Sequence, residues 1–307
     1  MLLNLRQYSR PADDGSQDGL AVALQLLSRP DIHTVPLAGG DSLIGSGDPT
    51  IEAVVDLQAL GLTEISLAPN LGALSAQAMV TRAQLAGLKA SDAPAASHSA
   101  KASPLGIIAA GAQRWGGNVQ RNRATLGGAL ATAASNDPLV VALLASDARV
   151  LLCTNAGYQT ISLAAFIPDR ARLLAGPALI TDVVVPLPPG RLTGYALADV
   201  ARTPADAPIV VAGAMICVAY GRCTHVRLAL GGVGPDPVCL PEVEALLVDQ
   251  LLTSELIAAA AAAARAAELV HPTGDFRGSA EYRKAMAGVL AERALRQAWE
   301  RAVTSNE

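Results

Sequence analysis

Two segments with paired glycines, far apart in the chain, restrict the folds that this sequence can adopt. The first covers residues 37–43 and contains Gly39-Gly40, and the second covers residues 117–128 and ends in Gly127-Gly128. Glycine permits positive φ angles, and it lacks the Cβ atom that would keep backbone N–H groups away from a phosphate oxygen. The sequence therefore predicts two tight turns that can approach one long anionic ligand from both sides.

The pattern of apolar residues places the first glycine pair at the end of a strand. Residues 20–27 have helical apolar spacing, and residues 35–38 and 51–57 are short apolar runs typical of strands. The carboxyl end of a strand is a common place for a ligand-binding loop. We therefore expect a strand–helix–strand unit at the N-terminus, with the first glycine pair at the carboxyl end of the strand at residues 35–38.

The second glycine pair lies between two predicted helices. A strand near residues 74–80 and a helix from Thr81 come first, and the Ala/Ser-rich residues 89–103 predict an exposed loop or linker. Residues 104–115 have a helical pattern. After the glycine pair, Asp137-Pro138 opens another helix, because aspartate is a favoured N-cap and proline a favoured first helical residue.

The remaining pattern predicts three segments with their own sheets and helices. Strand-like runs occupy residues 148–154, 179–185, 209–220 and 225–230, and helical patterns occupy residues 254–270 and 279–303. The Pro/Gly-rich residues 186–190 predict a domain boundary. We therefore expect an N-terminal lobe at residues 1–60, a central lobe at 61–190 and a C-terminal domain at 191–307.

Composition and charge exclude several classes of protein. The chain has 307 residues, of which 51% are hydrophobic, and a formal net charge of −4, which argues against a nucleic-acid partner. The longest apolar tract, residues 256–264, is too short to cross a bilayer, so we expect no membrane span. The first residues lack the basic-then-apolar layout of a signal peptide. We therefore expect a cytoplasmic enzyme or enzyme subunit.

Neither the cysteines nor the histidines form a recognisable catalytic or metal-binding motif. The four cysteines, at positions 153, 217, 223 and 239, include no C-x-x-C pair, and most lie in apolar strand-like runs, as small buried residues do. The four histidines lie far apart, and none accompanies a serine or cysteine in a nucleophile-elbow pattern. The sequence predicts no metal ligand and no catalytic side chain in this chain.

Five short motifs resemble the FAD-binding subunit of the molybdenum hydroxylases, the group that contains carbon monoxide dehydrogenase and xanthine dehydrogenase. They occur in the family's order along nearly the whole chain, which makes the set far more specific than one glycine pair. The motifs are AGGDSL at residues 38–43, RNRATLGGA at 121–129, RTPADAPIV at 202–210, RLALGGVGP at 227–235 and GSAEYR at 278–283.

The resemblance implies an α+β fold with a two-lobed FAD-binding domain of the p-cresol methylhydroxylase/vanillyl-alcohol oxidase type. A C-terminal domain with a three-stranded sheet and helices would follow it. The implied cofactor is FAD. The implied partners are a [2Fe-2S] small subunit and a molybdopterin large subunit, and FAD would pass their electrons to an external acceptor such as a quinone, NAD or dioxygen.

The resemblance also implies which residues hold FAD. The first segment would bind the pyrophosphate through its backbone N–H groups and the Ser42 hydroxyl, and the second would contact the flavin and diphosphate through the Thr125 hydroxyl and the backbone. The residues implied in this way are Leu37, Ala38, Gly39, Gly40, Asp41, Ser42, Leu43, Thr125, Leu126, Gly127, Gly128 and Ala129.

Four further residues have two interpretations each. Asp137 matches an acid that bonds a ribose hydroxyl, but the same oxygens would serve the helix N-cap. Ile180 matches an apolar position against the isoalloxazine, and it equally fits a plain core strand. Arg121 and Arg123 would neutralise diphosphate charge or face a partner subunit.

Three departures from the family pattern support an alternative function. The stretch after Leu43, residues 44–49, is short and contains no lysine; Ala129 replaces an asparagine; and a lysine or tyrosine near residues 202–208 is missing. The alternative to the FAD-binding electron-transfer subunit is therefore an assembly subunit that keeps the fold but has lost FAD. A stand-alone flavin oxidase is a weaker interpretation, because no acid or base directed at a substrate stands out in the sequence.

Overall fold

Three β-sheets follow one another along the chain, each with its own helices. The computed structural model describes residues 4–12, 18–68, 72–89, 104–187, 192–203 and 206–304. In spatial order, the first sheet consists of the strands Gln7–Ser9, Ala53–Asp56 and Thr34–Leu37, the second of Ile65–Ala68, Ala73–Gln77, Ala178–Pro186, Arg149–Thr154 and Gly157–Ser162, and the third of Val238–Cys239, Arg222–Gly231, Val210–Ala219 and Leu192–Val200. Each sheet lies within one of the three segments expected from the sequence, and the segment bounds themselves stay a prediction.

The first sheet is parallel, as a strand–helix–strand unit requires. Its elements are β1 (Gln7–Ser9), α1 (Gly19–Leu27), β2 (Thr34–Leu37), α2 (Asp41–Ser46), β3 (Ala53–Asp56) and a 3₁₀ turn at Gln58–Leu60. Asp18 caps α1 by accepting hydrogen bonds from the N–H groups of Leu20 and Ala21. Both predicted strands and the predicted helix are confirmed, and α2 was not expected.

The second sheet is antiparallel, and the described part of its segment contains six helices. Its strands are β4 (Ile65–Ala68), β5 (Ala73–Gln77), β6 (Arg149–Thr154), β7 (Gly157–Ser162) and β8 (Ala178–Pro186). The helices are α3 (Arg82–Ala86), α4 (Pro104–Gln113), α5 (Asn118–Arg123), α6 (Leu126–Thr132), α7 (Pro138–Ala145) and α8 (Leu163–Leu173). Of the predicted linker 89–103, only Lys89 lies within the described residues.

The third sheet has three long antiparallel strands and a short fourth one. Its strands are β9 (Leu192–Val200), β10 (Val210–Ala219), β11 (Arg222–Gly231) and β12 (Val238–Cys239). The helices are α9 (Pro241–Leu247), α10 (Ser254–Ala266) and α11 (Ala280–Thr304). The predicted helix 254–270 ends at Ala266, because the chain turns there and buries Val270 in the C-terminal core.

Helix α7 joins the second and third sheets. All of its residues are buried, and it shares a core cluster with Val211, Met215 and Cys217 of β10. The intervening β10 residues, such as Ala212, Ala214 and Ile216, pack into the other core, against α10 and α11. A strand buried on both faces needs a continuous apolar run rather than an alternating one. This explains the unbroken apolar sequence of β10.

A charged network fixes the junction between α7 and the third sheet. Asp147 follows α7 in a left-handed conformation (φ 55°), and it accepts hydrogen bonds from His225 Nε2 at 2.8 Å and Arg227 Nε at 2.6 Å. Arg227 Nη1 also donates to Glu244 at 3.0 Å. Burial raises the pKa of Asp147, but the bonds from His225 and Arg227 outweigh it, so the pKa lies below its ordinary value of 3.8.

The lowered pKa of Asp147 predicts a contribution to stability that depends on pH. A carboxyl group with a depressed pKa stabilises the fold above its unfolded value, and this stabilisation is lost as the pH falls through the folded value. We expect Asp147→Asn, which tolerates the left-handed backbone, to lower the free energy of unfolding near neutral pH. The difference from the parent chain should shrink in urea titrations at about pH 3. A difference independent of pH would contradict this.

Two further structural findings bear on the sequence analysis. Within the ranges that the structure describes, no helix has the length and apolar character needed to span a membrane. The four cysteines lie in strands β6, β10, β11 and β12, and Cys153, Cys217 and Cys223 are buried. Burial raises the pKa of Cys223 to about 11 and that of Cys239 to about 12, so both remain neutral thiols near pH 7.

Candidate cofactor site

The two glycine segments pack directly against each other. A Cβ atom on Gly39 would lie 1.7 Å from the Arg123 carbonyl oxygen, so only glycine fits at this position. Arg123 Nη2 donates to the Gly39 carbonyl at 3.4 Å, and the Thr132 hydroxyl donates to the Ser42 hydroxyl at 3.2 Å. The convergence predicted from the two glycine pairs is confirmed.

The first segment turns into a helix instead of forming a simple turn between strands. Gly40 has a left-handed conformation (φ 73°) that breaks β2 and starts α2. The backbone N–H groups of Asp41, Ser42 and Leu43 occupy the first turn of α2, where a helix offers no preceding carbonyl to accept them. These three groups are therefore available to a ligand with anionic oxygens.

The second segment uses its own backbone N–H groups inside the protein. The N–H groups of Leu126 and Gly127 donate to the carbonyls of Val80 and Ala78, at 2.8 and 2.7 Å. The Gly128 N–H donates to the Thr125 hydroxyl at 3.2 Å. A Cβ on Gly127 would lie 2.9 Å from the Ala78 Cβ. The glycines here therefore permit close packing of α6, and the group left for a ligand is the Thr125 hydroxyl proton.

Two adjoining cavities form one cleft along these segments. A cavity of 330 Å³ lies between the first segment and residues Thr125, Gly128 and Ala129. A second cavity of 580 Å³ is bordered by Ile180, which is 7% exposed. Both cavities are lined by Pro36, Ala38, Gly128 and Ala131. The two volumes are typical of ligand pockets.

The cleft contains most, but not all, of the residues predicted from the sequence. The smaller cavity is lined by Ala38, Gly39, Gly40, Asp41, Ser42, Leu43, Thr125, Gly128, Ala129 and Asp137, and the larger one by Ala38, Gly127, Gly128 and Ile180. Leu37 and Leu126 line neither cavity. Leu126 is a core residue at 1% exposure, because the first position of α6 points into the central core.

Comparison with known proteins identifies the family. The family model described as "FAD binding domain in molybdopterin dehydrogenase" matches residues 16–188, and the model "CO dehydrogenase flavoprotein C-terminal domain" matches residues 195–298. The chain belongs to the FAD-binding subunits of the molybdenum hydroxylases. FAD is therefore its cofactor, and its class is that of an oxidoreductase subunit.

Individual relatives agree with this family over most of the chain. The nicotine 6-hydroxylase medium subunit of Paenarthrobacter nicotinovorans is 29% identical over 97% of the chain and 99% of the relative. The 6-hydroxypseudooxynicotine dehydrogenase complex subunit alpha of the same organism is 35% identical, over 61% of the chain and 63% of the relative. A chain of reconstituted CO dehydrogenase from Oligotropha carboxidovorans superimposes with a TM-score of 0.82 at 27% identity, covering 98% and 99% of the two chains.

Asp137, the acid that the resemblance places near a ribose hydroxyl, already forms hydrogen bonds within the protein. Its Oδ1 accepts from the Leu139 N–H at 3.0 Å, which confirms the predicted N-cap of α7. Both carboxylate oxygens also accept hydrogen bonds from the Arg82 guanidinium, Oδ1 at 3.0 Å. Since both side chains are only 2% exposed, a ribose hydroxyl would have to compete for these oxygens. The ribose contact stays a prediction.

Sequence reasoning missed Arg82 and Trp115, which also line the smaller cavity. The Arg82 guanidinium carbon lies 4.7 Å from the centre of the Trp115 ring, within the range of a cation–π contact. The Arg82 Nε atom is buried without a hydrogen-bond partner among the described residues. Arg82 follows the capping residue Thr81, where an arginine ordinarily faces solvent, so the local pattern gave no signal for it.

The arginines of the second segment contact the backbone instead of an open anion site. Arg123 Nη2 bonds the Gly39 carbonyl, and Arg121 Nη1 donates to the Gly116 carbonyl at 2.6 Å. The Arg123 bond joins the two glycine segments, and the Arg121 bond stabilises the turn at Gly116. Of the short stretch after Leu43, which departs from the family pattern, residues 44–46 form the rest of α2.

Proposed function

We propose that this FAD-binding subunit receives electrons from a [2Fe-2S] small subunit and passes them to an external acceptor. The small subunit would in turn receive these electrons from a molybdopterin large subunit. A quinone, NAD or dioxygen would suit the role of the external acceptor. The observation that carries the proposal is the convergence of both glycine segments on one cleft in a chain of this family. The relatives' names support the assembly, since they are medium or alpha subunits of multi-subunit enzymes.

The residues of the cleft fit the parts of FAD. The N–H groups of Asp41, Ser42 and Leu43 would bind the diphosphate, and the close packing of Gly39 on the Arg123 carbonyl and the left-handed Gly40 hold this turn in position. The apolar wall around Ile180, Leu179 and Met79 would enclose one of the two rings. The cleft as a whole thus offers a polar centre with an apolar end, which an extended dinucleotide needs.

The hydroxyl groups of Ser42 and Thr125 are arranged to donate. The Ser42 oxygen already accepts from Thr132, and the Thr125 oxygen accepts from the Gly128 N–H. Each hydroxyl proton is therefore free to bond a ligand oxygen. Two such donors on opposite sides of the cleft would orient the diphosphate and keep water from it.

FAD, when bound, supplies the electron-transfer chemistry, and the protein sets its position and environment. The chain's own contribution is to hold the cofactor and to expose it to partners. Substrate oxidation would therefore take place on another subunit. This division predicts that the isolated chain carries FAD but does not turn over an organic substrate by itself.

The composition of the complex tests the proposal. We expect a complex purified through a tag on this chain to contain FAD together with iron, acid-labile sulfide and molybdenum, measured by visible spectrum, mass analysis of acid-released cofactor and metal analysis. After anaerobic photoreduction, its flavin absorbance should return on mixing with a quinone, NAD or dioxygen. A purified complex with flavin but no iron or molybdenum would contradict the proposed partners. A colourless chain that takes up no added FAD would favour the assembly-subunit alternative.

A further inference from the structure

We propose that the third sheet and Arg283 of α11 position the turn between α6 and α7, and thereby raise the affinity of the cleft for FAD without touching it. This inference rests on the proposed binding of FAD in the cleft. The α6–α7 turn covers residues 133–137, and Ala134 and Asp137 line the smaller cavity. The residues between them, Ser135 and Asn136, line neither cavity of the cleft and bond the third sheet's flanking loops instead.

Three hydrogen bonds hold the α6–α7 turn between the start of β10 and the end of β11. The Gly232 N–H donates to the Ser135 carbonyl at 2.8 Å, and the Ser135 hydroxyl donates to the Gly234 carbonyl at 2.5 Å. The Asn136 side-chain amide donates to the Pro208 carbonyl. The turn is therefore bonded through both its backbone and its side chains to backbone groups that flank the third sheet.

A third glycine pair, Gly231-Gly232, lets the sheet approach the turn this closely. A Cβ on Gly231 would lie 2.8 Å from the Ser135 carbonyl oxygen, and a Cβ on Gly232 would lie 2.1 Å from the Ile209 carbonyl oxygen. Gly232 also has a left-handed conformation (φ 76°). Both positions therefore favour glycine. This contact gives a reason for the glycine pair of the motif at residues 227–235, which the cleft itself does not use.

Arg283, near the start of α11, joins the two sides of this contact. Its Nη1 donates to the carbonyls of Ile209 and Gly232, at 2.9 and 3.3 Å, and its Nη2 donates to Asp275 at 2.8 Å. The Arg283 side chain is 8% exposed, and its charge is paired with that of Asp275. Arg283 is therefore a positioning residue. Three of the five sequence motifs meet around its guanidinium, namely residues 202–210, 227–235 and 278–283.

The α6–α7 turn needs contacts from outside to keep its shape. It begins at Ala133, which has a left-handed conformation (φ 42°) that is unfavourable for a residue with a Cβ. Such a conformation persists where surrounding contacts hold it. Among the described residues, none beyond Ile180 lines either cavity, so the effect of the third sheet on FAD would pass through this turn. A looser turn would let Ala134 and Asp137 leave the wall of the smaller cavity.

FAD titration of the full chain tests the inference with a variant that removes the side-chain bonds of the turn. Ser135→Ala/Asn136→Ala deletes the bonds to Gly234 and Pro208 and changes no residue that lines the cleft. We expect the Kd for FAD to rise about three- to tenfold, because bound FAD must then order the turn itself. Ser135→Thr keeps the hydroxyl and should bind FAD as the parent does.

Thr253→Ala provides a control that weakens the same part of the chain elsewhere. It removes the N-cap of α10, where the Thr253 hydroxyl accepts from the Leu256 N–H at 3.2 Å, and leaves the bonds of the α6–α7 turn in place. Its Kd for FAD should equal that of the parent. An equal rise of the Kd in Thr253→Ala and in the double variant would indicate a general loss of stability and overturn the inference.

Amide hydrogen exchange, followed by NMR, gives a second measurement, because coupling between two sites is reciprocal. FAD should slow the exchange of the Gly232 amide, which donates to Ser135, more than that of the Cys223 amide at the opposite end of β11. An unchanged Kd in the double variant would overturn the role of the turn and leave FAD binding intact. A parent chain that binds no FAD would overturn both. If the double variant fails to fold, Ser135→Ala alone decides.

Discussion

Replacing Gly39 by alanine is expected to lower the FAD content of the purified chain about tenfold or more. A Cβ at this position would lie 1.7 Å from the Arg123 carbonyl oxygen and 2.7 Å from its carbon. Both neighbours are backbone atoms, so the glycine segments must move apart, and overpacking of this kind costs about 1–3 kcal/mol. That cost falls on the geometry that we propose for diphosphate binding. The measurement is the ratio of flavin absorbance to protein, followed by FAD titration of the stripped chain.

A matched glycine in the same region separates this effect from a general loss of helix α2. Gly45 lies inside α2, and a Cβ there would meet no atom within 4 Å. Gly45→Ala should therefore retain the FAD content of the parent and slightly stabilise the helix. Equal FAD contents in Gly39→Ala and the parent would show that the contact between the two segments is not needed for binding. A loss of FAD in Gly45→Ala as well would point to α2 as a whole.

The convergence of the two glycine segments could be predicted because paired glycines are typical of places where another part of the backbone packs closely. Gly39 is needed where the Arg123 carbonyl passes, and Gly127 where α6 packs on Ala78. Residue type carries this information without knowledge of the partner. The N-cap at Asp137 was predictable for a similar local reason, since an aspartate before a proline already identifies the start of a helix.

The chemistry around these segments could not be predicted in the same way. The glycine pair of the second segment predicted free backbone N–H groups, but the N–H groups of Leu126 and Gly127 donate to the carbonyls of Val80 and Ala78. Arg82 and Asp137 are 55 positions apart in the chain, and nothing local marks either of them as half of a buried pair. Helix α2 also escaped prediction, because its short sequence with an internal glycine has weak helical propensity. Tertiary contacts, rather than local patterns, determine each of these features.

Arg82→Met is expected to destabilise the chain by about 3–5 kcal/mol, the usual cost of breaking a buried ion pair by removing one partner. The Asp137 side chain is 2% exposed, so its carboxylate would lose its charge partner without gaining water. The free energy of unfolding from urea titration measures the effect. The same substitution at Arg296, in an exposed pair with Glu292 at 2.6 Å, should change it by less than about 0.5 kcal/mol.

The double variant Arg82→Met/Asp137→Asn distinguishes an unpaired charge from simple loss of packing. Asparagine keeps an oxygen for the Leu139 N–H, so the N-cap of α7 survives while the charge disappears. If Arg82→Met destabilises the chain because the Asp137 carboxylate is left unpaired, the double variant should recover about half or more of the lost free energy of unfolding. If it is no more stable than Arg82→Met, the guanidinium matters through its packing against Trp115 instead. Recovery of stability would show that Arg82 is needed to pair with the Asp137 charge. No recovery would show that Arg82 is needed for its contact with the indole of Trp115.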